Sequence, residues 1–281
     1  MTGRAPCTSA RLSIAVAVVV LGVGCGHDTA AHDQTTQPTF ADEFDGPPGA
    51  TPDPSIWQPD VGGTGWGNEE LQYYTRDANT ALDGSGHLVI EARAGSEGHS
   101  CWYGTCSYTS GKLTTRQRRG VAFAQRYGTF EARIKMPGGT GLWPAFWMLG
   151  ENIEAVGHPA AGEIDVVEVL GHRTDSVEQH VHGPGLNFGS DFRLPAGQSV
   201  TDWHTYAVEW SPDRITWLVD GRATRTLTRA EAGPGWVFDH RFYLLLNLAV
   251  GGEWPGSPDR DTRFPARMLV DYVRVYPGER Y

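Results

Sequence analysis

The chain has 281 residues, with 23 Lys and Arg against 33 Asp and Glu and a formal net charge of −10. An acidic chain without a long basic cluster excludes nucleic acid and anionic membrane surfaces as partners, whereas a neutral polysaccharide is compatible. The 36 glycines and 18 prolines point to many turns, and the 10 tryptophans exceed what a core of this size needs.

Arg4 and Arg11 precede an apolar run from Leu12 to Cys25 that is too short to span a bilayer, so residues 1–25 read as an export signal. Its end, Leu21-Gly22-Val23-Gly24-Cys25, is similar to a bacterial lipoprotein signal in which Cys25 is acylated. Gly22 departs from the Leu preferred there, and cleavage near Thr29-Ala30-Ala31 is the alternative. Residues 26–38 are polar and read as a flexible tether. One domain is expected over 39–281, outside the cell or lipid-anchored at its envelope. Of the four cysteines, Cys7 leaves with the signal and Cys25 is the anchor or is lost. Cys101 and Cys106 then pair as a local disulfide, since a metal site would find only His99 nearby.

Thr39–Gly46 is a first strand running into a Pro/Gly-rich loop. Trp66–Thr75 reads as a Gly-rich loop and then a strand, followed by extended pieces at Asn79–Leu82 and Leu88–Arg93. Tyr108–Thr115 follows the cysteine loop. Gly128–Met136 alternates cleanly, with Phe130, Ala132, Ile134 and Met136 on a core face. Leu142–Leu149 carries Trp143 and Trp147, an even number of residues apart and therefore on one face. Later strands are Glu178–His182, His204–Trp210, Arg214–Val219, Ala223–Leu227, Phe242–Val250 and Leu269–Tyr276. Asp220-Gly221 is a hairpin signal, and Thr228–Gly233 makes one helical turn. Many short strands with frequent turns and no internal repeat predict an all-β fold, a single antiparallel β-sandwich.

Between Leu149 and Glu178 lies Glu163-Ile164-Asp165-Val166-Val167-Glu168, an apolar, β-branched strand pattern holding three carboxylates that such a strand would exclude. Regular alternation puts Glu163 and Asp165 on one face and Glu168 on the other. One extra residue at Val166-Val167, a β-bulge, returns Glu168 to its partners' face, and bulges recur beside active sites. Three acids on one face repel and raise at least one pKa, as paired carboxylates that cleave glycosides require. On the residues alone, a charged edge strand with solvated acids is the alternative.

This motif resembles the catalytic signature of glycoside hydrolase family 16 in its bulged, laminarinase-type form. The blocks Trp66–Tyr74, Trp143–Leu149, His182–Gly185, His204–Trp210, Asn247–Gly252 and Asp271–Tyr276 resemble bacterial endo-β-1,3-glucanases of that family, in order, over residues 39 to 277. The resemblance implies a concanavalin A-like jelly roll of two curved antiparallel sheets with substrate across the concave face. It implies Glu163 as nucleophile, Glu168 as acid/base and Asp165 as the group tuning Glu163, in a retaining hydrolysis of β-1,3-glucosidic bonds. It also places Asn68, His182 and, as a weaker candidate, Arg116 beside the substrate. Trp143, Trp147 and the loop residue Trp254 are the stacking candidates, while Trp203, Trp210 and Trp217 are read as structural. Catalysis needs no cofactor on this reading. A structural Ca²⁺ on the convex side would use Glu43, Asp271 and the carbonyl of Gly86. A monomer is expected. Alternatives are a mixed-linkage β-1,3-1,4-glucanase, a glycosyl-transferring relative, and a non-catalytic glucan-binding protein, a class defined by loss of the acids that are present here.

Overall fold

In a computed structural model of the protein, residues 1–3, 37–95, 97–117 and 120–278 are described. The export signal from residue 4 onward, Cys25 and the tether up to residue 36 lie outside the described residues. The described residues from 37 onward belong to one compact unit.

Two large sheets pack face to face as a jelly-roll sandwich. The first has eight strands, in the order Leu186–Arg193, Ser176–Gly183, Glu163–Glu168, Leu142–Gly150, Phe242–Val250, Lys112–Thr114 and Gln58–Pro59, with Ala124–Gln125 also on Phe242–Val250. The second has ten, centred on Trp203–Trp210, Gly128–Lys135, Ala266–Tyr276 and Leu88–Ala94. Pairing is antiparallel apart from one parallel contact between Gln72–Tyr74 and Tyr108–Ser110. The alternation expected for Gly128–Met136 holds: Phe130, Ala132 and Ile134 point into the core. There they meet the layer formed by Phe146, Met148, Ile164, Val167, Leu244 and Leu246, all fully buried. Each such side chain contributes about 1.5–3 kcal/mol by leaving water.

Two expectations need correction. The single strand expected over Tyr108–Thr115 is two: Tyr108–Ser110 joins the ten-stranded sheet and Lys112–Thr114 the eight-stranded one, with the crossing at Gly111. The edge strand Leu186–Arg193, paired with Ser176–Gly183, was not anticipated, because Gly189 and Ser190 break its apolar rhythm. The helical turn expected near Thr228 is Arg229–Ala232, closed by a capping box between Thr228 and Glu231.

The two carboxylates of the cation set named on the sequence both lie in ion pairs. Both Glu43 oxygens accept from Arg274 at 2.8 Å. Asp271 accepts from Arg133 Nη1 at 2.6 Å, with His87 Nε2 4.0 Å away. Each of these carboxylates pairs with an arginine, whereas a calcium ion asks for about six to eight oxygens.

Candidate active site

The outer face of the eight-stranded sheet carries a cleft of about 850 Å³. Its floor is built by period-two alternation: Trp143, Ala145, Trp147 and Leu149 from one strand, and Tyr243, Leu245, Asn247 and Ala249 from the next. Both tryptophans therefore face the same way, as their spacing predicts.

The acidic strand crosses this floor with its bulge where the sequence puts it. On one side Asp165 pairs with Trp147 and Val167 with Phe146, leaving Val166 without a partner. On the other side Asp165 pairs with His180 and Glu168 with Glu178, two residues on, so Val166 and Val167 together oppose Gln179. Both valines are buried, and Glu163, Asp165 and Glu168 all line the cleft. Oxygens of Glu163 and Asp165 lie within 4.8 Å of each other and of His182, as do those of Asp165 and Glu168 with His180. Such donor sets could accept a cation; in the second, His180 Nδ1 lies within hydrogen-bond distance of Glu168 Oε2.

Asp165 is the most buried of the three, and its Oδ2 has no hydrogen-bond partner. Burial, then the charges of Glu163 and Glu168, then a hydrogen bond with Glu163, push its pKa well above the carboxylate range. Its backbone carbonyl accepts from Trp217 Nε1 at 2.8 Å, which ties the strand to the core. Glu168 is held from two sides: Trp143 Nε1 donates to Oε1 at 3.0 Å, and His180 Nδ1 lies 3.0 Å from Oε2. Glu163 faces His158 Nε2 at 3.1 Å and His182 Nε2 at 3.9 Å. The hydrogen bond to Glu163 raises the His158 pKa against its burial. For His180, burial is opposed and outweighed by the bond to Glu168 and the surrounding carboxylates, so its pKa also rises. Burial dominates at His182, and its pKa falls. Among the described residues no Lys or Arg pairs with any of the three acids.

Trp254 stands at the mouth, 41% exposed, in edge-to-face contact with Trp143 and His180 at centroid distances of 5.4 Å. Asn68 also lines the cleft, its carbonyl accepting from Glu253 N at 2.9 Å and its Nδ2 3.4 Å from Glu70 Oε1. Arg116 is placed differently from the sequence reading. It pairs with Glu154 and is not among the cleft-lining residues. Its guanidinium also bonds the side chain of Tyr243, which does line the cleft.

Sequence reasoning missed several groups. His180 shares a face with His182 two residues on, and that spacing was a usable signal. His158 had none, being delivered by a loop. Glu70, Tyr74 and Asn247 form a buried chain: Gln72 and Tyr74 donate to Glu70 Oε2 at 2.5 and 3.1 Å, and Asn247 donates to the Tyr74 hydroxyl at 3.1 Å. Asn247 Oδ1 in turn accepts from Trp147 Nε1 at 2.7 Å, so the platform ring is locked from beneath. Lys112 lies 4.1 Å from the Trp66 ring centre and 5.1 Å from that of Trp147, paired with Asp60 at 3.6 Å.

The family model for glycosyl hydrolases family 16 matches residues 68–274. A β-glucanase of Rhodothermus marinus is 41% identical over 274 residues, covering 90% of this chain and 91% of that protein. The catalytic domain of an endo-1,3-β-glucanase (laminarinase) from Thermotoga petrophila superposes with a TM-score of 0.80 at 45% identity, over 87% of this chain and 99% of that one. A non-specific endo-β-1,3(4)-glucanase of family 16, carrying a bound glucan oligosaccharide, gives a TM-score of 0.77 at 35% identity, over 87% and 95%.

Proposed function

The chain belongs to glycosyl hydrolases family 16, and from that premise we propose that it cleaves internal β-1,3-glucosidic bonds of laminarin-like glucans with retention of configuration. The observation that carries this reading is the bulge at Val166-Val167, which gathers three acids on the floor of a tryptophan-lined cleft.

Each residue has a role that follows from its surroundings. Glu163 attacks the anomeric carbon while Glu168 passes its proton to the departing glycosidic oxygen. Water deprotonated by Glu168 then attacks the same carbon, and Glu163 leaves. Asp165 keeps its proton in the ground state, because the buried site between two carboxylates penalises a third charge. That proton bonds Glu163 and stabilises its carboxylate as it leaves in the second step. Trp143 and His180 aim Glu168 with bonds to separate oxygens. Trp143, Trp147 and Trp254 offer flat faces to sugar C–H groups, and Asn68 and His182 offer polar atoms to hydroxyls. The mature enzyme is an exported monomer, either lipid-anchored through Cys25 or released outside the cell. The Cys101–Cys106 disulfide supports an oxidising location.

A second reading, cleavage of mixed-linkage β-1,3-1,4-glucan, is favoured by the likeness to the non-specific endo-β-1,3(4)-glucanase. Reducing-end release from laminarin, lichenan and agarose, measured side by side, separates the two. Laminarin is expected to be cut fastest, with products first released as the β-anomer. Activity on agarose alone would overturn the proposal.

A further inference from the structure

Among the described residues only two tryptophans are largely exposed, Trp254 at 41% and Trp102 at 49%. Trp254 belongs to the cleft. Trp102 is not among the cleft-lining residues, although it sits on the disulfide hairpin that braces the loop forming the cleft wall.

The hairpin is tied down at several points. Cys101 and Cys106 are bonded, with Cα atoms 5.0 Å apart. Trp102 N donates to Gly63 O at 2.8 Å. Tyr103 OH donates to Leu71 O at 2.6 Å and accepts from Ser107 N at 2.7 Å. Trp102 Nε1 donates to the carbonyl of Glu70 at 2.9 Å, and Glu70 lines the cleft. The indole packs against Gly65, where a Cβ would come within 2.9 Å of the ring, and edge-to-face against Tyr103 at 5.4 Å. Trp66, Gly67 and Asn68, next in sequence, form the inner wall. Trp102 is thus one hydrogen bond from the cleft lining, on the outer side of the same loop.

A buried tryptophan gains by leaving water. An exposed one whose single polar atom is already bonded and whose rotamer is locked gains nothing from its outer face unless something stacks on it. Locking also removes the ordering cost of binding. We propose that Trp102 is a distal glucan-binding platform, held by the Cys101–Cys106 hairpin, on which a β-glucan chain longer than the cleft rests a sugar face. This rests on the β-glucanase reading, because continuity with the cleft identifies the ligand.

The test is chain-length dependence. Trp102→Ala should raise KM for laminarin about three- to tenfold, the worth of one aromatic contact, and leave KM and kcat for laminaritriose and laminaritetraose unchanged. Trp102→Phe keeps a flat ring without the N–H bond to Glu70 and should recover most of the long-chain KM. If the hairpin only braces the loop, Trp102→Ala weakens short and long substrates equally and Trp102→Phe does not rescue, and the platform is refuted. Thermal melting of both variants shows whether either loss comes from unfolding; in that case retention of the wild-type enzyme on insoluble β-1,3-glucan, in competition with short oligosaccharides, decides. Full elution by the triose overturns the platform, while residual retention supports it. Wild-type protein that cuts no β-1,3-glucan of any length would remove the functional reading and this one together.

Discussion

Glu163–Glu168 in the eight-stranded sheet and Ala266–Tyr276 in the ten-stranded sheet each gain one residue against a neighbour. In the first, Val166 is the extra residue and Glu168 is turned onto the cleft. In the second, Arg133 pairs with Tyr272 and Ile134 with Val270, so Asp271 is extra. The local backbone device is the same, but the partners differ. Asp271 meets Arg133, Glu43 meets Arg274, and Glu91 meets Arg93 and Arg267, both at 2.5 Å. Burial works against ionisation of Glu91, and the two arginines outweigh it, leaving its pKa lowered. The cleft acids meet only histidines, an indole N–H and one another. A guanidinium fixes a carboxylate in its charged form, since arginine does not release its proton. Imidazole and indole orient a carboxylate and leave its proton free to move.

The most severe way to break this contrast is to remove an acid from each side of it. Glu163→Ala should lower kcat on laminarin by on the order of 10⁴-fold or more, as loss of a nucleophile does, with binding of laminari-oligosaccharides retained. Added azide should restore turnover and give a glycosyl azide of inverted configuration. Glu168→Ala should be nearly as damaging on laminarin but mild on aryl glucosides, whose leaving groups need no proton. A Glu163→Ala enzyme with full activity would end the assignment.

Asp165→Asn asks whether the middle acid is kept for chemistry at the expense of the fold. The unfolded group titrates near 3.8, and the folded one well above it. The native state therefore binds the extra proton between those values, and stability falls as pH rises through that window. At neutral pH Asn removes the penalty, so the variant should be the more stable of the two, with no gain below pH 3.8. Activity should fall on the order of 10²-fold, because the proton shared with Glu163 is gone. Melting curves at acid and neutral pH, beside kcat, check both halves.

His180→Gln is a smaller perturbation. His180 Nδ1 lies 3.0 Å from Glu168 Oε2, and that bond makes His180 hold its proton more strongly than a free imidazole despite its burial. Loss of that proton at high pH sets the alkaline limb of kcat/KM. With Gln the hydrogen bond survives without the second proton site, so the limb should move to lower pH and kcat should fall roughly tenfold. A limb that stays in place would show that His180 only positions Glu168.

Much of this contrast was readable from the residues. The odd spacing of Glu168 demanded a bulge, and the even spacing of Trp143 and Trp147 put them on one face; both follow from the two-residue period of a strand. The pairing of Cys101 with Cys106 followed from their nearness in sequence. What was not readable depends on which loop or strand comes alongside. The pairing of Glu43 with Arg274 and of Asp271 with Arg133 depends on which strand lies alongside. Arg116 looked free until the short helix Ile153–Val156 brought Glu154 to it. His158 reaches Glu163 only because its loop folds back over the strand that it precedes.

The gentlest test lies on the far side of the contrast. Arg133→Ala leaves Asp271 facing only His87, 4.0 Å away. Arg133 and Asp271 are 39% and 29% exposed, so water and salt already screen the pair and its loss should cost at most about 1 kcal/mol. Arg133 also lies 4.8 Å from the Trp203 ring, so part of that cost is packing and will persist at high salt. Hydrolysis of laminarin should be unchanged, because no part of the pair touches the cleft. If activity fell as far as it does with His180→Gln, the acids of the ten-stranded sheet would be coupled to the reaction. The division between arginine-fixed and histidine-held carboxylates would then fail.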